Sequence, residues 1–266
     1  MRNVIAVLSV IIFFVSSCEL SRASDDIILV STEKECQIGR SLAEKVEEKY
    51  DAPDDPLVQK RFEDLGKRLS KICDRQDIIY HFKVLKAEEG EDEENYYNAF
   101  CLPGGYVYMF EPLMEVLETD DAIAAVIAHE LGHTTARHAV KRLTASIGIK
   151  ALMILAALAP SRDRSTLADA GNALTQLMMA YSRKDEYEAD TLSVKYMKQA
   201  GLDSEGVIKS METLARLRQK GRERKYIHYH THPYLSERIA KARAEVKGYA
   251  DFKSYINAGK EPGFVY

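Results

Sequence analysis

The first part of the chain alternates between apolar and charged positions at helical spacing. From Ser31 to Tyr50, apolar residues recur every four positions among charged ones, which predicts an amphipathic helix. Leu57–Cys73 repeats this pattern, and Pro53 and Pro56 separate the two helices. The β-branched and aromatic residues of Ile78–Leu85 then predict a strand. This part of the chain therefore predicts two helices followed by a strand.

The second part of the chain is predicted to be mainly helical. Pro103-Gly104-Gly105 predicts a turn into a strand at Tyr106–Phe110. A long helix is predicted from Thr119 or Asp120 through Leu143, with acidic residues in its first turn and basic residues near its end. Ala145–Ala159 predicts a buried core helix, with a membrane-facing surface as the alternative. Further helices are predicted at Thr166–Ala200, Ser204–Gln219 and Ser236–Val246. The predicted fold class is mainly α with a small β-sheet (α+β).

The first residues resemble an export signal. Val4–Val15 is an uncharged run of twelve residues after the basic Arg2, and it is too short to cross a bilayer of about 30 Å. It ends in Val15-Ser16-Ser17-Cys18, which resembles a bacterial lipobox and predicts lipidation of Cys18. The alternative is cleavage near Ser17 with no role for Cys18.

This reading divides the chain into three parts. It predicts a signal peptide at 1–17, a lipidated tether at 18–30 and a single domain at 31–266. The lipid would attach the protein to the membrane on the periplasmic side of a bacterial envelope. Glu19 after the lipidated cysteine favours sorting to the outer membrane. Export would also place Cys36, Cys73 and Cys101 in an oxidising compartment, where one disulfide among three pairings is allowed.

Composition limits the range of partners. The 266 residues are 46% hydrophobic and 29% charged, which is typical of a folded globular protein and excludes a disordered one. There are 37 basic and 41 acidic residues, and no long basic stripe could follow a phosphate backbone. We therefore expect no nucleic-acid partner.

Candidate chemistry lies within the long predicted helix, in His129-Glu130-Leu131-Gly132-His133. Residues four apart on a helix are separated by about 40° and about 6 Å, so both imidazoles can bind one cation. Glu130 points to one side of this pair, where it can reach a water on the metal without binding the metal itself. The alternative is that both histidines are polar surface groups. The spacing favours a catalytic zinc site.

A catalytic zinc site needs a third protein ligand. The candidate is Glu186, on another predicted helix, and Asp190 lies one turn further on. Asp190 could accept a hydrogen bond from the far nitrogen of a ligating histidine, which favours Glu186 over Glu188. The alternative for Glu186 is a solvated surface acid.

Four motifs together resemble metallopeptidase family forty-eight. They are Asn-Ala-Phe-x-x-Pro-Gly-Gly from Asn98, His-Glu-x-x-His from His129, Glu-x-x-Ala-Asp from Glu186, and Thr231-His232-Pro233 with Arg238-Ile239. This family of gluzincin zinc endopeptidases includes HtpX, the type I CAAX prenyl protease, BepA and LoiP, and the chain most resembles its short lipoprotein members. The resemblance covers about 34–246. It implies a mostly helical fold, zinc bound by His129, His133 and Glu186, and Glu130 as the catalytic carboxylate.

The other histidines differ in their predicted roles. His138 would lie on the same helix as His133 but about 140° round, which excludes it from the same metal and favours a structural or supporting role. His228, His230 and His232 alternate, so a strand would place them on one face as a second metal site. The family's His-Pro motif matches His232. The resemblance implies that His232 donates to the substrate oxyanion or blocks the zinc as a reversible fourth ligand, and the alternative is a turn histidine.

These residues predict a zinc endopeptidase that acts on unfolded or misassembled envelope proteins. Glu130 would take a proton from the attacking water and return it to the departing amine. The predicted strand that follows Gly104 is expected to offer a free edge to an extended peptide, with Gly104, Gly105, Tyr106 and Val107 binding substrate. Two alternatives are a zinc-dependent holdase or assembly factor that seldom cuts, and a zinc hydrolase of another substrate class.

Overall fold

The computed structural model describes residues 30–87, 97–158, 181–219 and 232–247. Within these ranges lie eight helices and three strands, which confirms the predicted mainly helical α+β class. The helices are α1 (Thr32–Lys49), α2 (Pro56–Ser70), α3 (Glu111–Leu117), α4 (Asp120–Thr135), α5 (His138–Leu158), α6 (Arg183–Gln199), α7 (Glu205–Gln219) and α8 (Leu235–Lys247). The strands are β1 (His81–Leu85), β2 (Ala99–Leu102) and β3 (Tyr106–Phe110).

The first two helices begin where their sequence provides a cap. Ser31 accepts a hydrogen bond from the backbone N–H of Lys34, and Asp55 accepts one from that of Leu57. Pro56 occupies the first turn of α2, where its missing N–H has no cost. Both predicted helices are confirmed, as are the strands that end at Leu85 and Phe110, whereas β2 and α3 were not predicted.

The three strands form one sheet in the order β1-β3-β2. β3 pairs in parallel with β1 and antiparallel with β2, so it is the central strand. The predicted turn before β3 is confirmed, and Gly104 and Gly105 both have positive φ, at 76° and 95°.

The prediction of a free, substrate-binding edge along β3 is wrong, because β3 is the central strand. Tyr106 lies between His81 and Leu102, so both sides of its strand are paired. The backbone N–H of Gly104 donates to the Glu35 carboxylate at 3.1 Å, and the Gly105 carbonyl accepts from His81 at 2.9 Å. Val107 is buried in the sheet. The segment from Gly104 to Val107 therefore has no free edge for a peptide.

Helices cover both faces of the sheet. One face packs on α2 and α4, and its core residues include Val84, Val107 and Met109. The other face packs on α1 and α5 through residues such as Phe100 and Tyr108. Alternation along each strand sends successive side chains into these two cores. The sheet therefore fixes α4 against one of its faces.

The predicted helix from Thr119 to Leu143 is two helices. Its start is confirmed, because Thr119 accepts a hydrogen bond from the Ala122 N–H, but α4 ends at Thr135. Arg137 has a φ of 56°, and α5 starts at the next residue. Partly buried contacts to the Arg137 guanidinium hold this break, and no Gly or Pro marks it in the sequence.

Two other helix predictions change. The predicted helix over 166–200 is confirmed from Arg183 to Gln199, where α6 begins after the extended Ser182, and its part over 166–180 lies outside the described residues. Ala145 and Ser146 of α5 are exposed, which contradicts a core helix at its start. The side chains of 149–158 lie outside the described residues. No helix of the described ranges has the length and apolar character needed to span a membrane.

Several predictions fall outside the described residues. These are the signal peptide at 1–17, Cys18 and nearly all of the tether, together with His228 and His230 of the second metal site. They stay predictions. Cys36, Cys73 and Cys101 are described, and each is a free thiol, so none of the three pairings is formed.

Candidate metal centre

Helix α4 carries the first part of the site. His129, Glu130 and His133 are all buried, because α4 packs between the sheet and other helices. His129 and His133 leave the helix on one face, with their Nε2 atoms 3.1 Å apart. The helix spacing seen in the sequence therefore does bring the two imidazoles together.

Helix α6 carries the second part of the site. Ser182 and Asp185 form a capping box that fixes where the helix starts, and Glu186 follows within its first turn. Gly132 lets α4 and α6 approach closely, because a Cβ there would lie 2.9 Å from Ala189 Cα. This approach lets Glu186 reach the two imidazoles, so the alternative of a solvated surface acid is wrong.

Four ligand-type side chains meet at this point. His129, His133, Glu186 and His232 each offer an atom within 4.8 Å of the others, and all four are buried. The Glu186 oxygens lie 3.6 Å from His129 Nε2 and 3.5 Å from His133 Nε2. His232 Nδ1 lies 3.0 Å from Glu186 Oε1 and 3.2 Å from His129 Nε2.

These separations fit a tetrahedral metal. Zinc binds His and carboxylate ligands at about 2.0–2.1 Å, so ligand atoms on a tetrahedron are about 3.3–3.4 Å apart. Five of the six pairs have contacts of 3.0 to 3.6 Å, close to that value, with the contacts of Glu186 shared between its two oxygens. Two buried imidazoles and a carboxylate are also the donors that catalytic zinc sites use. The donor set therefore fits the metal that the motif predicts.

Asp190 supports the site from behind. Its Oδ1 lies 2.9 Å from His129 Nδ1, the far nitrogen of the imidazole, in the arrangement predicted from the sequence. Such a contact fixes the tautomer of a ligating histidine. Glu188 instead is half exposed and lies near His138, away from the four ligand-type groups. As predicted, Glu186 and Asp190 lie at the candidate site, whereas Glu188 does not.

Arg238 is a part of the site for which no role was predicted. Its guanidinium is 2% exposed and holds both Asp190 oxygens at 2.7 and 2.8 Å. Its Nη1 also forms an ion contact with Glu186 Oε2 at 2.6 Å, without hydrogen-bond alignment. Nη1 donates to the His232 carbonyl as well. The Arg-Ile motif could have indicated this role, since a buried arginine needs acidic partners.

Tyr181 was also missed. This buried tyrosine stacks on His133 with ring centroids 4.1 Å apart. The Arg142 guanidinium also lies over the Tyr181 ring, at 4.1 Å from its centroid. It directly precedes the Ser182 cap, so its place is set by the start of α6. Only its position next to the cap could have drawn attention to it.

The general-base candidate is fully buried. Burial, and next the charge of Glu186, raise the pKa of Glu130 to about 8. Its two oxygens have no aligned hydrogen bond within the described residues, although Cys101 lies against them. His232 Nε2 is 3.4 Å from Glu130 Oε1. Glu130 is therefore close to the ligand-type groups and has unused acceptor capacity.

Burial also shifts the ligand-type groups toward their neutral forms. It raises the pKa of Glu186 well above its ordinary value and lowers the pKa of His133 and His232 well below theirs. Neutral imidazole is the form that binds a metal. A cation in this cluster would in turn favour ionised Glu186, so metal binding here would release a proton.

Comparisons with known proteins agree on one family. Residues 56–246 match peptidase family M48. Metalloprotease LoiP of Escherichia coli is 30% identical over 196 residues, which are 72% of this chain and 72% of LoiP. The mitochondrial metalloendopeptidase OMA1 of Schizosaccharomyces pombe is 34% identical over 66% of this chain and 49% of its own length.

A third relative matches over a longer part of this chain. The beta-barrel assembly-enhancing protease of Escherichia coli is 24% identical over 223 residues, which are 80% of this chain and 44% of that protein. The chain thus matches less than half the length of this relative and of OMA1. The family match covers well over half of the chain and includes every described residue of the four-residue cluster. The chain belongs to peptidase family M48, whose members use a metal, usually zinc, and it is a metalloprotease.

Proposed function

We propose that the chain is a zinc-dependent endopeptidase in which His129, His133 and Glu186 hold the metal and Glu130 is the general base. The buried cluster of ligand atoms within 4.8 Å of one another carries this proposal. When bound, zinc lowers the pKa of a water ligand toward 7 and polarises a carbonyl group. This chemistry suits hydrolysis of a peptide bond without a covalent intermediate.

Glu130 is suited to move protons at this site. A cation held by the neighbouring Glu186 cluster would lower the pKa of Glu130 from about 8, so that its carboxylate is available near neutral pH. The carboxylate would accept a proton from the attacking water and return it to the departing amine. Its position on α4, one residue from His129, supports a role beside the metal rather than as a ligand.

His232 sits among the metal ligands, which supports a regulatory role. Its Nδ1 lies as close to Glu186 and His129 as those groups lie to each other. This placement favours a reversible fourth ligand over an oxyanion donor. Replacement of His232 by Ala separates the two roles, because loss of a block raises peptidase activity, whereas loss of an oxyanion donor lowers it by about 10²–10³.

The peptide substrate is proposed to pair with the outer edge of β2. The Phe110 N–H donates to the Asn98 carbonyl, so Asn98 and Phe110 are a hydrogen-bonded pair of the antiparallel ladder. Hydrogen-bonded and non-hydrogen-bonded pairs alternate along such a ladder. The main-chain groups of Ala99 and Cys101 therefore point away from β3. Cys101 lies against Glu130 on that side. A peptide on this edge would lie beside the base.

The opposite edge of the sheet is already occupied. Gln59 of α2 donates through its Nε2 to the Phe82 carbonyl at 2.9 Å and accepts from the Val84 N–H at 2.8 Å. Its side-chain amide thus pairs with β1 as another strand would. Among the described strands, only β2 has an edge without such a partner. Main-chain pairing there would bind extended peptides with little sequence preference.

Substrates with this property are unfolded or misassembled envelope proteins. The apolar run before Cys18 supports export, and the lipobox-like sequence supports a lipid anchor on the periplasmic side of the outer membrane. Unfolded segments can extend into a strand, whereas folded proteins rarely expose one. Peptide binding to the Glu130→Gln variant tests main-chain pairing at the β2 edge. A peptide N-methylated at alternate residues should bind at least tenfold more weakly than its unmethylated counterpart.

The deciding experiment compares the wild type with Glu130→Gln. The variant should bind about one zinc per chain and lose casein cleavage, because the amide cannot accept the proton. Glu48→Gln, at an exposed position of α1, is the control for the same isosteric change and should retain cleavage. Cleavage by Glu130→Gln would eliminate Glu130 as the base, and a chain that binds no zinc would eliminate the proposed site.

A holdase or assembly factor is the second candidate, and the position of His232 among the ligand atoms favours it. If His232 occupies the fourth position of the zinc, the protein would bind unfolded chains at the β2 edge and seldom cut them. Complementation of a deletion strain by Glu130→Gln would identify binding as the physiological task. Failure of this variant, with normal protein level, would assign that task to proteolysis.

A further inference from the structure

His138 lies against the far side of the His133 imidazole. The Nδ1 atoms of the two side chains are 2.9 Å apart, and both residues are buried. The Nε2 of His138 lies 3.4 Å from both Asp185 Oδ1 and Glu188 Oε2. Two imidazoles and two carboxylates thus form a chain of contacts from the ligand cluster to the first turns of α6.

The break between α4 and α5 creates this contact. In one continuous helix His138 would point about 140° away from His133 and could not reach it. Arg137 instead takes a left-handed φ of 56°, which interrupts the helical path between α4 and α5. Its guanidinium donates to Glu35 at 2.8 Å and to the Val30 carbonyl at 2.6 Å. These partly buried contacts therefore hold a strained residue that brings His138 to the site.

The positions of the hydrogen atoms follow from these distances. Two ring nitrogens 2.9 Å apart need one hydrogen between them. The Nε2 of His133 faces His129, so a metal there leaves the hydrogen of His133 on Nδ1. The Nδ1 of His138 must then be the acceptor, and its own hydrogen lies on Nε2. That N–H points toward the carboxylates of Asp185 and Glu188.

We propose that His138 is a positioning residue that fixes the tautomer and ring orientation of His133 for metal binding. The inference rests on the proposed zinc site. A neutral imidazole accepts the hydrogen bond that a carboxylate usually accepts in such sites. Asp190 does this for His129, so the two histidine ligands have supports of different chemistry.

A matched pair of substitutions tests the acceptor alone. His138→Asn places an amide oxygen near the position of the imidazole Nδ1, whereas His138→Leu has a similar shape and no acceptor. Zinc affinity is measured on the full chain by competition with a chromophoric chelator. His138→Leu should weaken zinc binding about 10–100-fold, as expected for the loss of such a partner, and His138→Asn should stay within about threefold of the wild type.

Two further readouts make the test independent of stability. Cobalt(II) in place of zinc should give a changed d–d absorption spectrum in His138→Leu and a spectrum like that of the wild type in His138→Asn. His81→Ala removes an exposed histidine of β1 and should change neither affinity nor spectrum. Long-range ¹H–¹⁵N NMR of the zinc-loaded wild type should show a protonated Nδ1 in His133, and this needs no variant.

The outcomes separate this inference from the proposed function. Equal zinc affinity in His138→Leu and His138→Asn, or zinc bound to the Nδ1 of His133, would overturn the role of His138 while the zinc site stands. A wild-type chain that binds no zinc would overturn both. Weaker binding in His138→Leu alone, with a protonated Nδ1 in His133, supports the proposal.

Discussion

Glu35 of α1 and Arg75 form a buried bidentate ion pair. Both guanidinium Nη atoms donate to the carboxylate, at 2.8 and 2.9 Å. Arg75 also donates to the carbonyl of Thr134, in the last turn of α4. Glu35 in addition accepts from Gly104 and from Arg137. A single carboxylate thus joins the first helix, the turn before β3 and the end of the metal-site helix.

We predict that Glu35→Ala destabilises the protein by about 3–5 kcal/mol, because it leaves two arginines without their buried partner. Urea unfolding measures this. The double variant Glu35→Met with Arg75→Leu should recover part of the loss, since it removes a charge from each side of the pair. A loss below about 1 kcal/mol in Glu35→Ala would contradict the prediction. The exposed pair of Lys60 and Asp64 is the control, and Asp64→Ala should cost less than about 1 kcal/mol.

The sequence predicted the helices and the candidate ligands because both depend on local periodicity. The four-residue spacing of His129 and His133 places both on one face of any α-helix, whatever packs around it. Glu186 and Asp190 could be named together for the same reason, since they also lie one turn apart. Local spacing also favoured Glu186 over Glu188, which agrees with the described positions.

The sequence could not show features that depend on distant contacts. Arg137 breaks a helix without Gly or Pro, because Glu35 and Val30 from the start of the domain bind its guanidinium. The pairing of Tyr106 on both sides depends on the order of the strands, which periodicity does not encode. The contact of Arg238 with Asp190 and Glu186 depends on the packing of α8 on α6, which the sequence pattern does not show. Each of these links residues far apart in sequence.

The close approach of α4 and α6 leads to a second prediction, Gly132→Ala. The added methyl group would meet Ala189 Cα and O at 2.9 Å, so the helices that carry the ligands must separate. We expect a loss of about 1–3 kcal/mol in stability and a weaker zinc affinity, measured by denaturation and by chelator competition.

Gly206→Ala is the matched control for this change. Its Cβ would lie 2.5 Å from the Asp121 carbonyl, at the other end of α4. This variant should be destabilised by a similar amount and keep the wild-type zinc affinity. Equal zinc affinity in both variants would show that the Gly132 contact serves packing alone.

Arg238 gives a third prediction. Arg238→Lys keeps the charge but cannot hold both Asp190 oxygens and Glu186 at once. We expect a loss of at least about 2 kcal/mol in the free energy of unfolding of the metal-free protein. Arg243→Lys, at a half-exposed pair with Glu212, is the control and should differ little from wild type in thermal unfolding.

The raised pKa of Glu130 predicts how stability depends on pH in the metal-free protein. Its pKa is about 8 in the folded state and near the ordinary 4.5 in the unfolded state, so the folded state binds the proton more tightly. Stability from this group is full below 4.5 and is lost as pH rises through 8. The buried histidines have lowered pKa values and contribute the opposite slope, but only below about 6.5.

The window from pH 7 to 8 therefore isolates the carboxyl groups. After chelation, the wild type should lose stability across this window, and Glu130→Gln should lose less, since its amide does not titrate. Glu130→Gln should also be the more stable of the two at pH 8, because it buries no charge there. Zinc should flatten the wild-type curve, as a bound cation favours the ionised carboxylates. Parallel curves for wild type and Glu130→Gln, followed by urea unfolding at each pH, would mean that Glu130 titrates near its ordinary value in the fold.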